Sequence, residues 1–428
     1  ILMKKKRILV LSDIAPCTNI TSGIVLNQWC DYLLDEGHEL YYVLVADPGI
    51  KMDIPDDKYN RIKFTKFNKP REGWSYNSDK IFLKIKGKIR SFIKNNSVKH
   101  RELPVILNSI LKLIKDEHID IVLSSIQGQT MTWLTYKLIK KSNVKVVSQT
   151  WDPLNWWLDA FQFDYITKMK NLKMFGKICK LSDTFMGMSW QMSINYEKKY
   201  GANCVTNIPS LDPEPFHNFK MPSKKSIDIA LSGQIYAKDE FETLVKSCEL
   251  LNWKYNQKDI FIHLYGNYFD EKFKNNSHII INSHIPQEQL FKELKKMDLL
   301  YCPYWFSKKY IEPCKLSFPG KLTTYLKVGV PILMHGPSYA SPLIFVKEYK
   351  AAYMVESLDV EIFKNNLCDI LNTYDKNSSI IVKNANSIFN KYLTKDTMRK
   401  SLLCSLGLIP KSENKLLESV RSIYEKRN

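Results

Sequence analysis

The chain has 428 residues, 44% of them hydrophobic and 25% charged, a length and balance that suit two or three globular domains. No apolar run approaches the roughly 20 residues of a membrane-spanning helix, and the nine cysteines include no C-x-x-C pair, which argues against a zinc site or disulfide framework and for a reducing, cytoplasmic setting. With 63 Lys and Arg against 44 Asp and Glu, the formal charge is +19; this favours anionic partners (nucleic acid, anionic lipid or phosphorylated substrates) without choosing among them.

Arg7–Ser12 is an apolar run of strand length, and a polar loop holding Gly23 follows it. Val25, Leu26, Trp29, Leu33 and Leu34 then recur near helical spacing within residues 24–36, ahead of a second strand at 39–45. Strand, loop, helix and strand in this order open a doubly wound sheet. The alternation continues with a helix at 105–115, a strand at 119–124, a helix at 130–141 and a strand at 145–149.

A second series begins near residue 226. The runs IDIALSG and IFIHLYG are strands ending in Gly233 and Gly266, with a helix at 239–251 between them. An amphipathic helix at 287–297, a short strand at 299–303, a helix at 321–327 and a strand at 330–334 follow. Pro209, Pro213, Pro215 and Pro222 break regular structure between the two series and suit a linker. Helices at 398–404 and 414–424 read as a cap on the second domain. The expected organisation is therefore a Rossmann-like domain over 1–215, a second over 216–395, and C-terminal helices over 396–428. In open α/β sheets ligands bind beyond the carboxyl ends of the strands, so the residues after each strand are the candidates.

Residues 316–337 read LSFPGKLTTYLKVGVPILMHGP. Phe318 and Pro319 break the chain, a helix starts near Lys321, and Gly329 ends it. A lysine in a first helical turn opposes the helix dipole unless an anion sits there. On chemistry alone the segment is equally an ordinary loop–helix–strand unit. It resembles the donor-binding motif of family 4 glycosyltransferases, F-P-S-K-x-x-E-Y-L-x-x-G-x-P-I-L, through Phe318, Pro319, Lys321, Tyr325, Leu326, Gly329, Pro331, Ile332 and Leu333. The resemblance implies a GT-B fold, two Rossmann-like domains facing across a cleft. It places this helix beside the diphosphate and ribose of a nucleotide sugar, with Ser317, Lys321 and Thr324 as donor-binding residues. Gly320 replaces the family's serine, and Leu316 and Thr324 stand where the two acids of E-x7-E would be. A threonine hydroxyl bonds ribose less strongly than a carboxylate does.

ALSGQIYAKDEF, residues 230–241, resembles the family's G-R-L-x-x-x-K-G through Gly233 and Lys238, with Gln234 in place of the arginine. The resemblance makes Lys238 the cation that meets the departing diphosphate, whose charge grows as the glycosidic bond breaks. Read by itself, Lys238 is also a solvated lysine at a helix start. Gly266 matches the family's next glycine loop, and Ile285 falls where the backbone reads the nucleobase or merely packs. Gly23 falls in the first glycine loop, where backbone approaches donor phosphate or acceptor.

VKVVSQTWDPLNWW aligns with V-P-V-V-x-T-V-H-D, which puts Trp151 on the family's histidine and Asp152 on its aspartate. Asp152 is then an orienting group or a general base, or else an Asp–Pro turn. Trp151 and Trp156 are sugar-stacking candidates or core. His217, His263, His278, His284 and His335 show no ligand spacing, so no metal or cofactor is expected beyond the nucleotide-diphosphate sugar, UDP- or GDP-linked, as donor.

Residues 80–101 carry Lys80, Lys84, Lys86, Lys88, Arg90, Lys94, Lys99 and Arg101, without an acid, among Phe82, Ile85, Ile89 and Ile93. A second basic stretch spans 168–180. Both are either solvated faces or a surface for anionic lipid; no nucleic-acid motif is present. The resemblance thus implies a retaining, metal-independent transferase that extends a lipid-linked surface glycan at the inner face of the plasma membrane. The alternatives are a degenerate, non-catalytic binding protein and a nucleotide-sugar 2-epimerase, whose proton transfers need an acid and histidine cluster that the sequence lacks.

Overall fold

The computed structural model describes residues 4–73, 81–213, 215, 225–266, 273–283 and 285–426; Lys80, His217, Pro222 and His284, named above, lie outside them. The chain divides into two compact units, residues 1–208 with 398–421 and residues 209–397 with 422–428.

Unit 1 is built on a parallel sheet of seven strands: β1 (Arg7–Ser12), β2 (Glu39–Ala46), β3 (Ile62–Asn68), β4 (Ile121–Ser125), β5 (Lys145–Thr150), β6 (Thr184–Gly187) and β7 (Cys204–Thr206). Their order is β3-β2-β1-β4-β5-β6-β7. The helices are α1 (Thr21–Asp35), α2 (Asp56–Arg61), α3 (Ile81–Arg101), α4 (Leu103–Asp116), α5 (Gly128–Lys141), α6 (Leu154–Ala160), α7 (Tyr165–Leu181) and α8 (Trp190–Tyr200). A parallel sheet is covered on both faces, which is why Ile8, Leu9, Val10 and Leu11 form an unbroken apolar run and are all buried. Three strands escape the sequence pattern. β3 is an edge strand in which lysines alternate with phenylalanines, and β6 and β7 are too short to show a period.

Gly23 is not in the loop where the sequence pattern put it. It is a buried residue in the first turn of α1. A Cβ there would lie 2.2 Å from Cys17 Sγ and 2.9 Å from the Ala15 carbonyl, so glycine lets the loop after β1 pack flat on the helix.

Unit 2 repeats the plan with β8 (Ser226–Ser232), β9 (Lys254–Tyr255), β10 (Lys258–Tyr265), β11 (Ile279–Asn282), β12 (Leu299–Pro303), β13 (Ile332–His335) and β14 (Tyr353–Val355). The order is β11-β10-β8-β12-β13-β14, with β9 antiparallel on β10. Its helices are α9 (Lys238–Leu250), α10 (Gln287–Leu294), α11 (Ile311–Leu316), α12 (Gly320–Val328), α13 (Ser341–Glu348), α14 (Val360–Asn372) and α15 (Tyr374–Tyr392). Gly329 ends α12 in the left-handed region, φ 82°, as its place after the last helical residue predicts.

The chain closes with α16 (Lys395–Ser405), α17 (Lys415–Glu418) and α18 (Arg421–Glu425). Residues 398–421 belong to unit 1, a correction to the expected cap on the second domain. The reason is specific pairing. Asn207 Nδ2 donates to the Met398 carbonyl at 2.9 Å and Trp190 Nε1 to the Leu417 carbonyl at 2.8 Å, and Met398, Leu402 and Leu406 are fully buried. No helix among the described residues is long and apolar enough to cross a membrane.

In each sheet the strand order reverses once, between β1 and β4 and between β8 and β12. Such reversals open a crevice at the carboxyl ends of the strands, where ligands of α/β proteins bind.

Candidate functional site

At the reversal in unit 2, β8 ends at Ser232, whose N–H donates to Tyr325 Oη at 2.8 Å; the Ser232 hydroxyl lies 3.2 Å from the same atom. Tyr325 is buried on α12, so one phenol ties that helix to the end of the central strand. The chain then turns at Gly233, φ 77°, whose N–H donates to the Tyr265 carbonyl at 2.7 Å. Gly266, φ 150°, ends the neighbouring strand. A Cβ on it would stand 3.4 Å from the Gly233 carbonyl oxygen, so the two glycine loops lie directly against each other.

The helix α12 starts with Pro319 as its N-cap, without a side-chain cap and without an acid in its first turn. Its first amide groups and partial positive charge are therefore left for an anion. Lys321, half-buried in that turn, donates from Nζ to the Gln234 carbonyl at 3.1 Å and sits 4.3 Å above the Tyr236 ring centroid. Burial pushes its ammonium down to about 8. The sequence-expected Gly233, Gln234 and Lys321 thus meet in one place, with Gly266 alongside.

Lys238 is the exposed first residue of α9, in the same strand-exit segment as Gly233 and Gln234. Thr324 spends its hydroxyl on the Gly320 carbonyl of its own helix, at 3.4 Å. Ser317, at the end of α11, is half-buried, and its carbonyl accepts the Tyr304 hydroxyl at 3.2 Å. Ile285 is half-buried in the segment between β11 and α10, at the outer strand of the sheet.

The sequence reasoning missed the wall opposite Lys321. Trp305 follows β12 and donates Nε1–H to the Tyr236 carbonyl at 3.0 Å. Its ring lies 4.7 Å from Tyr236 and stacks on Tyr310 at 5.2 Å. Glu240, buried in α9, accepts the Phe306 N–H at 2.7 Å and so pins this loop; burial holds its carboxyl above the usual range. Beneath it, Tyr301 Oη lies 2.8 Å from the Glu240 carbonyl and 2.7 Å from His335 Nδ1. His335 Nε2 meets the Ser357 carbonyl at 2.7 Å, and burial pushes this imidazole down to about 4. His335 braces the crevice floor as a neutral ring. An aromatic triplet just past a strand end, YWF at residues 304–306, is the signal that marks this wall.

At the reversal in unit 1 a buried ionic chain appears that the sequence did not reveal. Lys69 Nζ lies 2.8 Å from both Asp13 Oδ2 and Glu72 Oε1, and Glu72 Oε2 accepts the Thr130 N–H in the first turn of α5 at 2.7 Å. Burial works against the Lys69 ammonium, but Asp13 and Glu72 outweigh it and hold its pKa above the ordinary value. Gly128, φ 75°, is required here, because a Cβ would come within 2.2 Å of Glu72 Oε1 and 2.7 Å of the Trp157 ring. Trp151 stacks on Trp29 at 5.5 Å, which occupies one of its faces. Asp152 is half-buried in the turn before α6, its carbonyl accepting the Thr150 hydroxyl at 2.7 Å. Trp156 is half-buried on α6.

No family model matches the chain, and no curated protein matches it in sequence. Solved structures do match its fold. A sucrose-phosphate synthase from Thermosynechococcus elongatus superposes with a TM-score of 0.64 at 12% identity, over 92% of this chain and 96% of that one. The Anabaena protein HepE, crystallised with UDP, gives 0.61 at 10% identity, over 94% and 100%. WaaG, described as a glycosyltransferase involved in lipopolysaccharide biosynthesis, gives 0.56 at 10%, over 94% and 100%. A putative UDP-N-acetylglucosamine 2-epimerase from Listeria monocytogenes also shares the fold, at 0.52 and 12%, over 94% and 97%. Two doubly wound parallel sheets, each with its crevice at a strand reversal, together with these likenesses, make the fold of this chain GT-B.

Proposed function

We propose that the chain is a glycosyltransferase that moves a sugar from a nucleotide-diphosphate donor, UDP- or GDP-linked, to a growing lipid-linked surface glycan. The observation that carries this reading is the meeting of Lys321, the uncapped start of α12 and the Gly233–Gln234 turn at one strand reversal. Backbone amides and a partly desolvated ammonium suit a diphosphate. Trp305 and Tyr236 offer flat apolar surface beside it, and HepE, of the same fold, binds UDP.

In this reading the bond from sugar C1 to the diphosphate oxygen breaks and its electron pair leaves with the diphosphate. Lys321 and Lys238 balance that charge. The acceptor hydroxyl attacks C1 from the same face and gives its proton to a donor phosphate oxygen, so configuration is retained without a metal. Asp152 orients the acceptor hydroxyl, and the loop that Gly23 lets pack on α1 approaches the donor phosphate or the acceptor. The anionic inner surface of the plasma membrane is the proposed location. Its support is α3, which exposes Phe82, Ile85, Ile89 and Ile93 between flanking cations while burying Gly87, Ser91, Asn95 and Val98. An apolar stripe bordered by lysines is the pattern of a helix lying in a membrane interface.

The test is incubation with a panel of UDP- and GDP-sugars, with and without a lipid-linked acceptor, reading nucleoside diphosphate release and product anomer. Release in no mixture, with no thermal shift by any nucleotide, overturns the reading. Thermal shifts without release favour a second reading, a binding protein. The observation on its side is that Leu316 and Thr324 stand where the family motif has acids. Interconversion of the sugar at C2 without transfer would instead identify an epimerase.

A further inference from the structure

We propose that unit 1 carries an anion site of its own, a lysine-walled cavity that takes a ligand with two or more adjacent phosphate groups. The cavity has a volume of about 610 Å³ and lies among α3, α4, α5 and α7. Six lysines line it: Lys99 from α3, Lys137 and Lys141 from α5, and Lys170, Lys173 and Lys177 from α7. Among the described residues no carboxylate lines it.

Aromatic rings hold three of the cations instead. Lys137 Nζ stands 5.6 Å from the Trp133 centroid, Lys170 Nζ 5.7 Å from Phe92, and Lys177 Nζ 5.7 Å from Tyr136. A ring face attracts and orients an ammonium but leaves its charge uncancelled. Two of these pairs join α7 to different helices, Lys170 to α3 and Lys177 to α5, so the charges are presented from fixed directions. Gathering like charges is unfavourable, and Lys99 registers it: burial first, then the charge of Lys170, hold its ammonium below the ordinary lysine value, against the smaller opposing pull of Asp164 and Glu72. A dense anion removes that repulsion. Lysines act as point charges toward phosphate, and six of them exceed what one phosphate group balances. The volume falls in the range of small-ligand pockets, which fits a diphosphate or short polyphosphate better than a duplex or a protein surface.

The position also separates this cavity from the crevices. α5 leaves the carboxyl edge of the sheet at Gly128, and Lys137 and Lys141 lie in its second half, so the cavity sits on the outer helical layer. The candidate donor site consists of unit 2 residues, and the cavity stands whether or not the chain transfers sugar. α3, which supplies Lys99, also carries the exposed apolar stripe. The phosphates therefore come either from a lipid headgroup or from a soluble ligand.

The experiment uses the full chain with Lys321→Ala, which weakens the donor site, titrated with inorganic pyrophosphate by calorimetry at fixed ionic strength. Binding is expected, and Lys137→Glu with Lys170→Glu should weaken it by roughly tenfold or more, as for lost charge-assisted contacts. The equally charged swap Lys376→Glu with Lys383→Glu, exposed on α15 of unit 2, should change it by less than about threefold, as screened charges outside the cavity lining do. Melting curves identify any variant that fails to fold; Lys137→Gln with Lys170→Gln then replaces the glutamate pair. Absence of pyrophosphate binding, or equal losses in both charge swaps, overturns the proposal. A second arm compares vesicles of equal charge containing a prenyl diphosphate lipid or phosphatidylglycerol. A preference for the diphosphate headgroup that the cavity swap abolishes assigns the site to a lipid headgroup. Equal sedimentation with pyrophosphate binding intact assigns it to a soluble ligand.

Discussion

Burial changes the acid–base chemistry of Lys321. In solution its ammonium would titrate near 10.4; in the crevice burial brings it to about 8. A bound diphosphate favours the charged form and raises that value again, so binding takes up a proton once the free site has lost it. The affinity for UDP or GDP should therefore begin to fall as the pH nears 8 and drop by up to about tenfold per unit above it. Calorimetric titration across pH 7 to 9.5 checks this, and in Lys321→Ala the slope should vanish along with most of the affinity. Lys238 makes a different claim. It is exposed at the start of α9, so Lys238→Ala should leave the melting temperature unchanged and lower turnover by about a hundredfold or more, the scale of a lost transition-state charge contact. Unaltered turnover in that variant would remove Lys238 from the mechanism. Lys321 and Gly233 drew notice through the family resemblance, and because a lysine in a first helical turn and a glycine at a strand exit break ordinary preferences. Glu240 and the Asp13–Lys69–Glu72 chain were not, because their partners lie 66 and 56 residues away in sequence, and a single carboxylate gives no hint of which backbone group it will meet.

At the scale of the element, one hydroxyl ties α12 to the end of β8. Tyr325→Phe keeps the ring but leaves the Ser232 N–H buried without an acceptor, at a cost of about 1–3 kcal/mol. The expected result is a lower melting temperature for the protein and weaker nucleotide binding, since the Gly233 turn loses its anchor; an unchanged melt would mean that water replaces the phenol. Helix α3 poses the opposite case, an element whose apolar side faces outward. Ile85→Asp with Ile89→Asp should preserve stability, because both side chains are more than half exposed, while sharply reducing sedimentation with anionic vesicles. Reduced stability with unchanged sedimentation would show that the stripe packs on protein. The central strands were readable because burial on both faces demands apolar runs. Gly23 was misplaced because glycine in a first helical turn looks like a loop signal; its actual cause, the approach of Ala15 and Cys17, is a tertiary contact.

For the whole molecule, the path of the chain matters more than its domain count. Two α/β series were visible in the sequence, but the return of residues 398–421 to unit 1 was not, since nothing local tells a terminal helix which sheet it will cover. That return closes unit 1 with Met398, Leu402, Leu406, Leu417 and Val420, each at most 2% exposed. Full burial of such side chains contributes about 1.5–3 kcal/mol apiece, and five of them together rival the roughly 5–15 kcal/mol that stabilises a domain. Polar groups join them: Thr206 N–H donates to Glu418 Oε1 at 2.9 Å, and Arg421 pairs with Glu197. A fragment ending at Ile208 should therefore not hold the fold of unit 1, although it contains all seven strands of the first sheet. In the intact chain Trp190 is completely buried, with its indole N–H on Leu417. The fragment should show red-shifted tryptophan emission and no cooperative melt, and joining residues 398–421 to its C-terminus through a flexible linker should restore both. A fragment that melts as sharply as the intact chain without them would show that the sheet and α1 to α8 suffice.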